Sequence, residues 1–300
     1  MPALHHGIAF VGLISLAATA AWGQATEGIE SALTDLGPGA RVGIEARRLP
    51  GPGGAEASCR KDADAVLPTA SAIKTAIMIE LFAEFAGRLG ESPPGLDATL
   101  KDDHPAVAHF TPKQRGEIRD GLAGATARRI GRVMLGSEDA PNVVYNAASN
   151  VAIALLGGPE ETTRRIHSRD PEFAAIMVRR YMLTDRAARG DNEATPAALA
   201  AVLRRLAARS LPDVDADTME ACRAVLQTAD DSARGRRHYK NGSLDSLPVT
   251  RVVTGWHERP DAPAIVYVVM LAHDDPDAGD RLQQAAERLA RQVVDSLRED

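Results

Sequence analysis

Ser71 and Lys74 stand three residues apart in LPTASAIKTAIMIELFAEF, residues 67–85, where an otherwise apolar helical run begins. A serine hydroxyl is a poor nucleophile until a neighbouring base takes its proton. A lysine amine can be that base once burial or a second cation lowers its pKa. The spacing predicts both side chains on one helix face, a turn apart. Ser71 then sits at a helix start, where unpaired N–H groups favour developing negative charge. The alternative is a capping serine beside a lysine that snorkels from the helix edge. Ser58-Cys59-Arg60-Lys61 repeats the spacing, but no apolar helix follows it. Context therefore selects Ser71. The chain holds five lysines against 30 arginines. Arginine cannot act as a base, so the lysine at 74 fits the chemistry.

The elements that must position this pair follow from the pattern along the chain. Val42 to Leu49 and Ala55 to Cys59 read as strands around a Pro/Gly turn, after a short helix from Glu27 to Leu36. Gly87 to Pro112 reads as loop with short helical pieces. Helices are predicted over Ala125–Leu135, Val143–Leu156, Pro159–His167, from Thr195-Pro196 to Ala208, and over Asp217–Gln227. Thr250 to His257 and Ala264 to Ala272 read as strands, and Ala278 to Leu297 as a closing helix. Strands at both ends and helices between them predict an α/β (α+β) architecture. Its antiparallel sheet of terminal strands is flanked by helices and carries an all-helical insertion lobe. The expected boundaries are an α/β lobe of 24–69 plus 237–300 and a helical lobe of 70–236.

Three segments in this order, Ser71-Ala72-Ile73-Lys74, Asn146 in VYNAASNVAIALLGGP, and Lys240-Asn241-Gly242 before a hairpin, resemble the penicillin-recognising serine enzymes. Class A β-lactamases are the nearest in pattern, over roughly residues 26 to 298. Each segment alone is weak; the order and spacing of all three are fairly specific. The resemblance implies a β-lactamase/transpeptidase-like fold, Ser71 as acylated nucleophile and Lys74 as its proton acceptor. It implies Asn146 as the partner of that lysine and of the substrate amide, and Lys240 as the cation opposite a substrate carboxylate. The N–H groups of Ser71 and Ser243 would form the oxyanion hole, which needs two donors aimed at the developing alkoxide. Two readings stand for Arg251: assistance to Lys240, or a strand arginine facing solvent.

The chain departs from the family pattern in three places. Val144-Tyr145-Asn146 stands where the family has Ser-Asp-Asn, so the serine that relays a proton to the leaving nitrogen is absent. Tyr145 or Ser137 could replace it; an ordinary helix-face aromatic is the other reading of Tyr145. Asn150 either lines the same face or is structural. The stretch Met177 to Asn192 contains no glutamate to activate a deacylating water. Its carboxylates, Asp185 and Asp191, are expected to pair with nearby arginines, and Glu193 reads as a charge near a helix N-terminus. Asn241 replaces the family's Thr or Ser and keeps a polar side chain.

The remaining composition sets limits. A formal charge of −6 argues against a nucleic-acid surface. Gly7 to Trp22 is apolar and uncharged, with small residues at Ala21-Trp22-Gly23, the layout of a signal peptide over residues 1–23. No Lys or Arg precedes Arg41, so the usual basic n-region is missing, and a retained anchor is the alternative. Export to the periplasm or medium is expected, with no stable membrane span once the signal is removed. Cys59 and Cys222 could pair in an oxidising compartment or stay as separate buried thiols. Eight histidines show no metal-binding spacing, and neither a metal nor another cofactor is implied. The expectation is a monomeric serine hydrolase acting on a small β-lactam or cell-wall-peptide-like substrate through a slow or atypical deacylation. A D-Ala-D-Ala peptidase or esterase of penicillin-binding type and a catalytically silent ligand-binding relative are the alternatives.

Overall fold

The computed structural model describes residues 29–31, 34–51 and 56–298. The expected signal segment lies outside these residues, as do Glu27 and part of the first helix. Alternation drives the sheet. On strand β9 (Ala262–His273), Val266, Val268, Met270 and Ala272 enter one core while Ile265, Tyr267, Val269 and Leu271 enter another. That period of two is what an antiparallel sheet covered on both faces requires. β9 pairs with β1 (Arg41–Arg48) on one side and β8 (Val249–Arg259) on the other. Strands β2 (Ala57–Lys61), β5 (Gln227–Asp231), β6 (Gly235–Tyr239) and β7 (Gly242–Leu244) complete a seven-stranded sheet of order β2-β1-β9-β8-β6-β5, with β7 also on β8. β3 (Leu67–Pro68) and β4 (Glu193–Ala194) form a separate two-stranded pair.

The helices are α1 (Lys74–Glu84), α2 (Leu96–Thr99), α3 (Pro112–Leu122), α4 (Ala127–Leu135), α5 (Asn142–Leu155), α6 (Pro159–Arg169), α7 (Arg186–Arg189), α8 (Pro196–Ala207), α9 (Ala216–Ala224) and α10 (Gly279–Ser296). Helix α10 covers one sheet face through Leu282, Ala286, Leu289 and Val293; α8 covers the other. Helix α1 is the axis of the helical region, and every residue from Lys74 to Phe82 is buried. Its neighbour α4 crosses it at Gly131, where any Cβ would lie 2.6 Å from the Phe82 ring. Thr195 caps α8 by accepting from the Ala198 N–H at 3.1 Å, with Pro196 in the first turn as expected.

Two departures have physical causes. Helix α3 was not foreseen because only Ile118 and Leu122 of its residues are buried. Strands β5 and β6 begin before residue 237, inside the expected helical lobe, because this outer hairpin carries mostly partly exposed polar residues. Glu193 lies in β4, two residues before the Thr195 cap of α8, and pairs with Arg179 at 2.9 Å. Cys59 and Cys222 are free and sit in different cores on opposite sides of the sheet. Burial raises both thiol pKa values, that of Cys222 to about 12.

Candidate active site

The segment before α1 does not begin as an α-helix. Ala70–Ile73 forms a 3₁₀ turn, and Lys74 is the first α-helical residue. Side chains three apart eclipse in a 3₁₀ turn, which brings Ser71 and Lys74 onto one line more directly than an α-helix would. Ala70 takes φ 49°, a left-handed backbone that costs a non-glycine residue about 1–3 kcal/mol. Thr69 anchors the strained entry: its N–H and Oγ1 both donate to the Asn192 carbonyl, at 3.0 and 2.9 Å.

Ser71 opens onto a cavity of about 670 Å³, lined also by Tyr145, Asn146, Lys240 and β7. Lys74 is fully buried, and its Nζ donates to Asn146 Oδ1 at 3.1 Å. Asn146 Nδ2 in turn donates to the carbonyl and the Oδ1 of Asn142, both at 3.0 Å, which fixes the amide orientation on α5. The Tyr145 ring lies under two ammonium groups: its centroid is 3.3 Å from Lys74 Nζ and 5.1 Å from Lys240 Nζ. Lys74 and Lys240 are both buried, and neither has a carboxylate partner among the described residues. Ser71 Oγ has no hydrogen-bond partner among them either, so Lys74 is turned toward Asn146 in this state. Catalytic hydrogen bonds often tighten only when substrate binds.

Burial pushes the Lys74 pKa well below the ordinary lysine value, and the charge of Lys240 pushes it further in the same direction. The Tyr145 ring face acts the other way, by about 2 kcal/mol at a desolvated site. Removing an ammonium from water costs several kcal/mol, so burial outweighs the ring and the net shift is toward the neutral amine.

Strand β7 forms the opposite wall. Gly242 rests on the 3₁₀ turn so closely that a Cβ there would lie 2.7 Å from the Thr69 carbonyl oxygen and 2.8 Å from Ser71 N. Only glycine lets this edge approach the amide of Ser71, and Ser243 follows directly. Asn241 reaches the cavity edge, but its Oδ1 accepts from Thr254 N at 3.1 Å and holds β8 at the break between β6 and β7. Thr254 Oγ1 closes the same break on the Lys240 carbonyl at 2.6 Å.

Several expected residues go elsewhere. Arg251 does not reach the cavity; it donates to Asp245 at 2.7 Å and to the Leu244 carbonyl at 2.9 Å. It shares strand parity with Val249 and Val253, which face the α10 core, so its side chain leaves from the wrong side of β8. Ser137 lines a different cavity and donates to the Arg132 carbonyl. Asn150 is structural: it bonds the Ala106 and Met182 carbonyls, both at 3.1 Å, and accepts from Met182 N at 2.5 Å. It thereby pins the loop 177–192. His238 is on strand β6, its ring stacked 4.7 Å from that of Trp256. The loop carboxylates are committed. Asp185 caps α7, and Asp191 is bonded by both Arg180 and Arg186. Asp191 thus pairs with nearby arginines as expected, whereas Asp185 is used as a helix cap instead.

No protein-family model and no curated protein matches the chain. Solved structures do. A class A β-lactamase from Mycobacterium abscessus superposes with TM-score 0.63 at 20% identity, covering 89% of this chain and 98% of its own. One from Clostridium kluyveri gives TM-score 0.64 at 15% identity, over 91% of this chain and 98% of its own. The penicillin-binding protein PBP-A, solved as a mutant in an acyl-enzyme complex with penicillin G, gives 0.60 at 16%, over 91% and 96%. The chain therefore has the β-lactamase-like fold, an antiparallel sheet flanked by helices.

Proposed function

We propose that the protein is an exported serine hydrolase of β-lactamase type, acylated at Ser71 by a β-lactam or a related amide or ester. One observation carries this reading: two buried lysines without carboxylate partners flank a single aromatic ring beside a serine that opens onto a cavity. Folding alone gains nothing from such an arrangement, since unpaired buried charges are costly. In the proposed mechanism neutral Lys74 takes the Ser71 proton as Oγ attacks the carbonyl carbon. The N–H groups of Ser71 and Ser243 hold the oxyanion. Asn146 keeps Lys74 in place and meets the substrate amide, and Lys240 binds its carboxylate. Tyr145, whose hydroxyl has no partner among the described residues, passes the proton from Lys74 to the leaving nitrogen. Residues 1–23 serve as the export signal, and the product of export is a monomer.

Deacylation is the slow half. The carboxylate of Asp191 is shared by two guanidiniums and cannot swing to activate a water. This favours, as a second reading, a D-Ala-D-Ala peptidase or esterase of penicillin-binding type, whose acyl-enzyme persists. Intact-protein mass spectrometry after adding benzylpenicillin, with Ser71→Ala as control, separates the readings. A transient adduct supports the hydrolase and a lasting one the penicillin-binding type. Absence of any adduct, with reporter esters also untouched, would leave a ligand-binding protein.

A further inference from the structure

The loop 177–192 brings two guanidiniums to the cavity wall. Arg180 Nη2 bonds Asp191 Oδ1 at 2.9 Å, and Arg186 Nη2 bonds Oδ2 of the same carboxylate. One carboxylate between two guanidiniums leaves a net positive charge. Arg186 is on the open side, its side chain 20% exposed against 8% for Arg180. Its other terminal nitrogen, Nη1, crosses to the loop after β7 and donates to Ser246 Oγ at 2.6 Å and to the Ser246 carbonyl at 3.1 Å. Both acceptors are neutral. Nη1 rests on neutral acceptors only, and it gains when an anion takes their place, because the full Coulomb attraction between opposite charges adds to the hydrogen bond. At the other end of β7 stands Lys240, buried and without a carboxylate partner among the described residues. Asp245, the other carboxylate lining the cavity, is already paired with Arg251 at 2.7 Å. The cavity thus offers two separate cationic points.

We propose that Arg186 is an anion-recognition point, and that the preferred acyl donor carries two acidic groups on opposite sides of its scissile bond. One is a carboxylate facing Lys240; the other is a carboxylate or comparable anion held by Arg186 Nη1 in place of Ser246. This rests on the acyl-transfer reading above for the roles of Ser71 and Lys240. Arg186 itself determines specificity and takes no part in bond making.

The test compares benzylpenicillin with the same molecule carrying a carboxylate on the side-chain α-carbon, and reads the ratio of acylation rates by intact mass. The wild type is expected to favour the dicarboxylate by about tenfold, the scale of one hydrogen bond to a charged group. Arg186→Gln should bring the ratio close to one, and Ser246→Ala, which frees Nη1, should preserve or raise it. Equal rates in the wild type, or a preference that survives Arg186→Gln, overturns the proposal. If neither compound acylates the protein, the chemistry at Ser71 fails, and thermal shifts of the Ser71→Ala protein then decide the anion point. A larger stabilisation by the dicarboxylate that vanishes in Ser71→Ala/Arg186→Gln supports it; equal stabilisation by both compounds overturns it.

Discussion

Helix α1 carries two buried charged residues that the fold treats in opposite ways. Glu80 receives the full fork of Arg169, with Nε on Oε1 at 2.6 Å and Nη2 on Oε2 at 2.9 Å. Lys74, one and a half turns earlier, receives an amide oxygen and a ring face. The Glu80 pair ties α1 to α6 and has the bidentate geometry expected of a buried ion pair. The Lys74 site leaves an amine without a counter-ion and lets a second lysine, Lys240, approach the same ring. The contrast teaches where the chain has been held to stability and where it departs from it. Such departures concentrate at sites with work to do.

Breaking each side of this comparison gives different outcomes. The largest effect is expected from Ser71→Ala, which has no oxygen to acylate and should give no adduct, and from Lys74→Met, which should lower the acylation rate by about 10⁴-fold, both read by intact mass. Arg169→Met should strand Glu80 and cost about 3–5 kcal/mol in urea unfolding. Protein still folded under those conditions should keep acylating at Ser71. Gly242→Ala pushes β7 away from the Ser71 amide and should slow acylation by about 10²- to 10³-fold, the loss typical of a disrupted oxyanion hole. Asn150→Ala leaves three backbone groups of the loops at 106 and 182 without their partner. It should cost about 1–3 kcal/mol, with faster amide exchange confined to those loops.

The smallest effect lies in the pH dependence of stability. The folded-state pKa of Lys74 is depressed, so at pH values between it and the ordinary lysine range of about 10 unfolding takes up a proton. The burial penalty is therefore largest at low pH and relieved as pH rises. Lys74→Met should melt higher than the wild type at neutral pH, with the gap closing toward pH about 10. A gap that widens with pH would reverse the assignment of charge.

Much of the site was legible because its residue types are improbable anywhere else. A lysine inside an apolar helix three residues after a serine announces chemistry, and Asn146 and Lys240 follow from the order of segments. Arg251 was legible and misjudged: alternation along β8, with Val252 and Trp256 in one core and Val249 and Val253 in the other, assigns it to the far face. Helix α3 had a signal in Thr111-Pro112-Lys113-Gln114, a capping box that the structure forms, but too little apolar surface to stand out. The Tyr145 ring between two lysines and the Arg186 bridge to Ser246 join residues far apart in the chain. No local pattern encodes them, because they exist only once β7, α5 and the loop 177–192 share one wall.

The charge state of Lys74 is the point on which the mechanism turns, and it can be read directly. With five lysines in the chain, ¹³C-labelled side-chain NMR resolves each Cε, and Lys74→Met assigns one of them. The account predicts that the Lys74 signal titrates well below the others and reports a neutral amine at the pH where acylation is fastest. A Lys74 signal that remains that of an ammonium up to about pH 10 would contradict it.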